Sequence, residues 1–194
     1  PDSVIDTPQT WLVGTKRVRD EHPHPQMTVS EIIQKSSNVG AVKMAMTLTP
    51  QQFWEVLNRA GFGQKPGSGF PGETSGRLRD ADSWKPVEQA TMAYGYGLSV
   101  SLLQLSRAYM AFANDGEVMP LSFLKREPQE MVGERVFSPS VAREVRAMME
   151  TVTQEGGTGT RTRVPGYRVA GKTGTAHKVV NGRYAPDRYL ASFI

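Results

Sequence analysis

Lys172-Thr173-Gly174-Thr175 continues a strand-like run that opens at Tyr167-Arg168-Val169-Ala170, and Ser36-Ser37-Asn38 lies far upstream at a break in a helical pattern. A Lys at a sheet edge can hold a hydroxyl by hydrogen bond and offer positive charge to an anionic group. Gly174 has no Cβ, so another chain can approach its backbone closely. Thr173 and Thr175 add hydroxyls and N–H groups along a strand with which an extended ligand can pair. Alone, this short match reads more readily as a plain turn between strands. Ser36-Ser37-Asn38 alone reads as a helix cap, because Ser and Asn compete with helical bonding. Its chemical reading has the Ser36 hydroxyl relaying a proton and the Asn38 amide gripping a carbonyl.

Outward from these two stretches, local signals set the elements. Thr28-Val29-Ser30-Glu31 is a capping box and opens a helix with Val29, Ile32 and Ile33 at helical spacing. A second helix follows Ser37, with Val39, Val42 and Met46 on one side. Thr49-Pro50-Gln51-Gln52 starts a third, with Pro at its first position and Gly61 past its end, and buries Phe53, Val56, Leu57 and Ala60. Residues 61–88 carry six glycines and read as one long loop, a length that is usually functional. Ser101-Leu102-Leu103-Gln104 caps a helix that stops at Gly116. Ser138-Pro139 opens the last helix, with Val141, Val145, Met148, Met149 and Val152 as its buried stripe. Asn181-Gly182 signals a two-residue hairpin, and 189–194 reads as the returning strand. Residues 1–26, punctuated by Pro8, Pro23 and Pro25, read as irregular. Two or three strands beside five helices do not make a finished layer, so both ends are expected to be cut inside a larger domain.

Composition excludes several classes. Hydrophobic residues are 38% and charged residues 22%, ordinary for a globular segment. No apolar run approaches the roughly 20 residues of a membrane span. Cysteine is absent, so no thiolate nucleophile or disulfide framework exists. The net charge is +4, but the 23 basic residues are dispersed, which speaks against nucleic acid. His22 and His24 lie between prolines without partner ligands and read as a solvated loop, not a metal site. Glu73, Asp80 and Asp82 read as solvated, His177 as a strand-end surface residue, and Met44, Met46, Met148 and Met149 as core.

A rival motif overlaps the first stretch. Gly166 to Thr173 satisfies G-x-x-x-x-G-K-[ST], the phosphate-binding pattern of P-loop proteins. That loop must run into a helix at its Lys. Here strand formers precede the Lys and a hairpin signal follows it, so a nucleotide site is the weaker alternative.

Longer segments carry a resemblance. TVSEIIQKSSNVGAV (28–42), AYGYGLSVSLLQLSRAYMAFANDG (93–116), EGGTGT (155–160) and VAGKTGTAHK (169–178) resemble the penicillin-binding transpeptidases, and among them the division-specific class B or FtsI type. The likeness covers nearly the whole chain. It implies an α+β fold of the β-lactamase/transpeptidase kind, here incomplete: an antiparallel sheet flanked by helices, with an all-helical part bearing Ser36 and Asn38. It implies a serine acyl-enzyme that cross-links peptidoglycan stem peptides ending in D-Ala-D-Ala and is acylated by β-lactams, without metal or cofactor. Ser36, Asn38 and Lys172 would be catalytic. Ser37, Thr173, Gly174 and Thr175 would bind substrate or β-lactam, with the Thr175 N–H forming half of an oxyanion hole. Partners would be divisome membrane proteins reached through other regions. The place implied is the periplasmic face of the bacterial inner membrane, with the anchor outside these residues.

One departure stands out. The family order is Ser-x-x-Lys, then Ser-x-Asn, then Lys-Thr-Gly. The single Ser-x-x-Lys here, Ser122-Phe123-Leu124-Lys125, follows the second motif in a loop-to-strand context. Ser122 therefore reads as a chance match. The nucleophile is expected to lie outside residues 1–194, which would leave this chain a chemically silent piece of an active parent.

Overall fold

Thr28 caps the start of the first helix as its spacing predicts. Its hydroxyl accepts from Glu31 N–H, and the Glu31 carboxylate accepts from Thr28 N–H at 2.8 Å. The structure, a computed structural model, describes residues 1–194 apart from the side chains of Pro128 and Pro186. Helices are α1 (Val29–Lys35), α2 (Asn38–Ala45), α3 (Pro50–Arg59), α4 (Pro86–Met92), α5 (Leu102–Ala113) and α6 (Pro139–Thr151). Strands are β1 (Val4–Asp6), β2 (Thr10–Val13), β3 (Lys16–Arg19), β4 (Gln26–Thr28), β5 (Glu117–Val118), β6 (Glu134–Arg135), β7 (Thr173–Val180) and β8 (Arg183–Phe193). They pair as antiparallel ribbons β1–β4, β2–β3, β5–β6 and β7–β8, giving a mixed α+β fold. Among the described residues no helix is long and apolar enough to cross a membrane.

Two apolar clusters hold the pieces together. Val13 and Val18 of the β2–β3 ribbon meet Val39, Val42 and Ala90, so α2 and α4 sit on that ribbon. Ala111, Val118 and Val136 join α5 to β5 and the end of β6, with Phe137 packed against them. Buried amides cross-link the loops. Gln89 Nε2 donates to the carbonyls of Ala45 and Leu48, and Gln104 Nε2 to those of Gln64 and Ser75.

Several expectations are corrected. Residues 1–26 are not irregular but carry β1, β2 and β3, whose three or four residues leave little room for a period of two to show. Gly14, at φ +58, turns β2 into β3 in a left-handed conformation. The segment 61–88 ends in α4, which Pro86 opens at its first turn. Glu73 is half-exposed but not free: its carboxylate accepts from Gly67 N–H at 3.1 Å, Ser68 N–H at 2.7 Å and the Ser68 hydroxyl. The Ser68 hydroxyl, then desolvation opposing it, then these backbone bonds leave its pKa below the ordinary carboxylate value. Phe53, Val56 and Leu57 are half-buried; Ala60 alone of that set is buried. Val141 lies exposed in the first turn of α6, while Met148, Met149 and Val152 are buried. Residues 167–170 are not a strand: Thr153 Oγ1 and Gly171 N–H tie this stretch to α6 through Val169 O and Met149 O, and β7 begins at Thr173.

Candidate active site

Ser36 ends α1 in the left-handed region, at φ 58 and ψ 45. A non-glycine residue is strained there by roughly 1–2 kcal/mol. The neighbouring bonds impose it: Ser37 N–H donates to Ile32 O at 3.1 Å, and α2 starts at once from Ser37. The Ser36 hydroxyl is thereby turned toward β7. Lys172 Nζ donates to Ser36 Oγ at 2.6 Å and to Thr173 O at 3.2 Å. The sequence separates these two residues widely, and the fold brings their side chains into direct contact.

Burial pushes the Lys172 ammonium down to about 8. It is still mostly protonated at neutral pH. Among the described residues no carboxylate lies within ion-pair distance of it. A partly desolvated cation without a counter-ion suits an anionic ligand. Gly171 allows this placement, since a Cβ there would collide with the Phe193 ring and the Ile194 carbonyl.

The junction behind Ser36 is organised by Asp20, which no local sequence signal marks. Asp20 is 3% exposed. Its Oδ1 accepts from Asn38 N–H at 2.6 Å and Val39 N–H at 3.0 Å, and its Oδ2 from Ser37 Oγ at 2.6 Å. Ser37 Oγ in turn accepts from Gly40 N–H at 2.9 Å. A carboxylate at a helix N-terminus is favoured by the unpaired N–H groups there. Ser37 itself is 4% exposed. The expectation that it lines the ligand site is therefore corrected: its hydroxyl is spent inside the cap. Asn38 Nδ2 donates to Arg19 O at 3.1 Å, which orients the amide from the β3 side.

On β7, the backbone decides which groups face the cleft. Lys172 and Ile194 exchange both N–H···O bonds, at 2.8 and 3.2 Å, so Lys172 points its peptide groups toward the β8 side. Register pairs Gly174 with Ser192 and Ala176 with Leu190 on that same side. Alternation then turns the N–H and C=O of Thr173, Thr175 and His177 to the opposite edge. Two contacts fit that parity: Thr173 O meets Lys172 Nζ, and His177 N–H donates to Tyr96 Oη at 3.1 Å. Thr175 is exposed between them. Gly174 brings β7 against Ser192, whose Oγ a Cβ would crowd. The Thr173 hydroxyl lies 2.6 Å from that of Thr158.

The remaining candidates stand apart or change character. His177 is half-buried, not a surface residue, with Nδ1 2.9 Å from Ala185 O and its ring 4.6 Å from that of Tyr189. Ser122 sits in an irregular stretch, its hydroxyl bonded to the Leu124 carbonyl and N–H; Lys125 is exposed. His22 and His24 are exposed between β3 and β4. The phosphate-loop alternative fails, because Lys172 is followed by strand β7 and not by a helix.

These features coincide with a known class. The family model for the penicillin binding protein transpeptidase domain matches residues 1–194, and the chain belongs to that family. It is 50% identical, over 188 residues and 96% of its length, to a probable peptidoglycan D,D-transpeptidase PenA of Neisseria gonorrhoeae, of which it covers 32%. The apo transpeptidase domain of penicillin-binding protein 3 from Burkholderia pseudomallei superposes with a TM-score of 0.95 at 47% identity, over 100% of this chain and 59% of that one. Penicillin-binding protein 3 of Mycobacterium tuberculosis, complexed with aztreonam, gives 0.89 at 35% identity, over 100% of this chain and 47% of that one. The chain thus spans about a third of the length of the gonococcal relative.

Proposed function

We propose that these residues form the substrate-facing part of a serine D,D-transpeptidase that cross-links peptidoglycan stem peptides and is acylated by β-lactams. The observation that carries this reading is the 2.6 Å bond from Lys172 Nζ to Ser36 Oγ. It joins the second and third motifs of the family in one cleft.

A serine of the parent protein outside residues 1–194 attacks the carbonyl of the penultimate D-Ala, and its hydroxyl proton is relayed toward Ser36 as the new C–O bond forms. The Thr175 N–H and the nucleophile's own N–H hold the oxygen as it gains charge. Asn38 grips the donor's upstream carbonyl, and Thr173 and Thr175 hold the terminal carboxylate, toward which Lys172 supplies charge. Ser36, held by Lys172, passes a proton to the amine of the departing D-Ala. The ester left behind is attacked by an amine of a second stem peptide, which forms the new peptide bond and frees the serine. A β-lactam acylates the same serine; the aztreonam complex of the mycobacterial relative supports this. The likeness of residues 93–116 to division-specific members supports a role at the septum, with divisome partners, on the periplasmic face of the inner membrane.

Fluorescent penicillin tests the reading. The full-length parent becomes covalently tagged, Ser36→Ala and Lys172→Met slow the tagging, and the 194-residue chain alone stays untagged. A parent that never tags overturns the function. A tag on the chain alone places a working nucleophile inside it and overturns the assignment of Ser122 as idle.

A further inference from the structure

The outward edge of β7 is short, and its limits are side chains. At one end Lys172 Nζ takes the Thr173 carbonyl at 3.2 Å. At the other, the Tyr96 phenol accepts the His177 N–H at 3.1 Å. Thr175 lies between, its N–H and C=O on the open edge by the alternation of the strand. The strand register shifts just past His177, between His177 and Val179.

Tyr96 is delivered there by design of the backbone. It stands between Gly95 at φ +95 and Gly97 at φ +88, a conformation that L side chains rarely adopt. Tyr96 N–H and Gly95 N–H return to Thr91 O and Met92 O at the end of α4. The ring is braced edge-on by Tyr94 at 5.7 Å and Tyr184 at 5.2 Å. A phenol held this way is a fixed plug on one peptide N–H, not a wandering surface group.

We propose that Tyr96 is a specificity-determining residue that ends backbone recognition of the donor peptide one register step upstream of Thr175. The inference rests on the transpeptidase reading above. A donor pairing antiparallel to β7 sets its penultimate residue opposite Thr175, with the leaving residue toward Lys172 and the upstream residues toward His177. In such a ladder the residue two places upstream of the penultimate one lies opposite His177, and its carbonyl accepts the His177 N–H. Tyr96 already occupies that N–H. The donor must therefore leave the strand at this point, and carbonyls further upstream add nothing through the backbone. Chains of different upstream composition are then admitted alike, and recognition concentrates on the D-Ala-D-Ala end.

The test uses the full-length parent and two synthetic donors ending in D-Ala-D-Ala. They are identical except that one carries an α-acetamido group on the residue before the penultimate D-Ala and the other carries hydrogen there. That group supplies the carbonyl opposite His177. In the unaltered enzyme the kcat/KM ratio of the two donors is near one. In Tyr96→Phe, which keeps the ring and removes the hydroxyl, the ratio rises about three- to tenfold in favour of the acetylated donor, the worth of one hydrogen bond. Amide exchange at His177 in the unliganded parent gives a second readout: Tyr96→Phe speeds it. An unchanged ratio with unchanged exchange overturns the inference, and so does an unchanged ratio with faster exchange, since the freed N–H then goes unused. Failure of the parent to process either donor or to be tagged by penicillin overturns the underlying function instead, and is seen before Tyr96 is altered.

Discussion

On the α1–α2 side of the cleft, Asp20, Ser37 and the first turns of α2 form a buried polar knot with three donors on one carboxylate. On the β7 side, Lys172 hangs from the single backbone pair with Ile194, and Thr175 stands exposed. The first side fixes where a hydroxyl sits and tolerates strain at Ser36 to do so. The second leaves peptide groups open, as the proposed pairing with a donor peptide requires. Precision and access are thus assigned to opposite walls. The hydrogen bond from Lys172 to Ser36 bridges the two walls directly.

Breaking that bridge has the largest expected effect. Lys172→Met in the full-length parent removes the donor to Ser36 and the cleft's cation while keeping much of the stem. Penicillin acylation falls about 10²- to 10⁴-fold, the usual range for a proton-transfer group. A fall of less than about tenfold, measured by stopped-flow tagging, dissociates the bridge from the chemistry. Ser36→Gly is the instructive companion: glycine relieves the left-handed strain, so stability rises or holds while acylation drops.

Breaking the knot comes next. Asp20→Ala strands Ser37 Oγ and the N–H groups of Asn38 and Val39 in a buried setting. Hydrogen bonds to a charged group contribute about 1.5–3 kcal/mol each and are not additive, so a loss of about 3 kcal/mol is expected in urea unfolding. A loss under about 1 kcal/mol means that the knot relaxes and that Ser36 is placed by something else.

Sequence reading reached some of this and missed the rest for definable reasons. The Thr28–Glu31 cap and the Asn181-Gly182 turn were legible because partner and donor lie within a few residues; Asn181 and Gly182 take φ +50 and +75 as such a turn requires. The pairing of Ser36 with Lys172 followed from the likeness to a family, not from spacing. Asp20 was illegible: nothing local distinguishes a buried capping carboxylate from its exposed neighbour Glu21. The phenol of Tyr96 reaches His177 only through the tertiary fold. The glycines on both sides of Tyr96 were a usable signal, since paired left-handed positions around an aromatic residue mark it as aimed.

The pH dependence separates the walls further. Burial lowers Lys172 to about 8 from an ordinary 10.5. Between those values the unfolded chain keeps a proton that the folded chain has shed, so unfolding free energy rises with pH across that window. Below about pH 8 both states hold the proton, and the burial cost of the ammonium is constant. Acylation runs the other way: as Lys172 loses its charge above about pH 8, the rate declines, approaching tenfold per unit well above the midpoint. Stability and rate thus diverge over one pH range, and Lys172→Met abolishes the stability slope. Parallel pH profiles of thermal unfolding and tagging check this; a rate that keeps climbing through pH 9 contradicts a role for the cation.

The smallest effect probes how the two walls are kept in register. Thr158 sits on the loop that follows α6, and that loop is pinned to α1 by Gln34 Nε2, which donates to the carbonyls of Thr151 and Glu155. Gly159 N–H returns to Val152 O at 2.8 Å, and Gly157 has no room for a Cβ against the carbonyls of Thr151 and Val152. The Thr158 hydroxyl, 2.6 Å from that of Thr173, therefore carries the position of the helical wall to the first residue of β7. Thr158→Val keeps the shape and deletes the hydroxyl, freeing Thr173 to rotate. One such bond is worth about 0.5–1.5 kcal/mol, so KM for a D-Ala-D-Ala donor rises about three- to tenfold in the full-length parent with kcat nearly held. Thr158→Ser restores the bond and the KM. If valine and serine behave alike, the contact is incidental, and the open wall is set by the β7–β8 pairing instead.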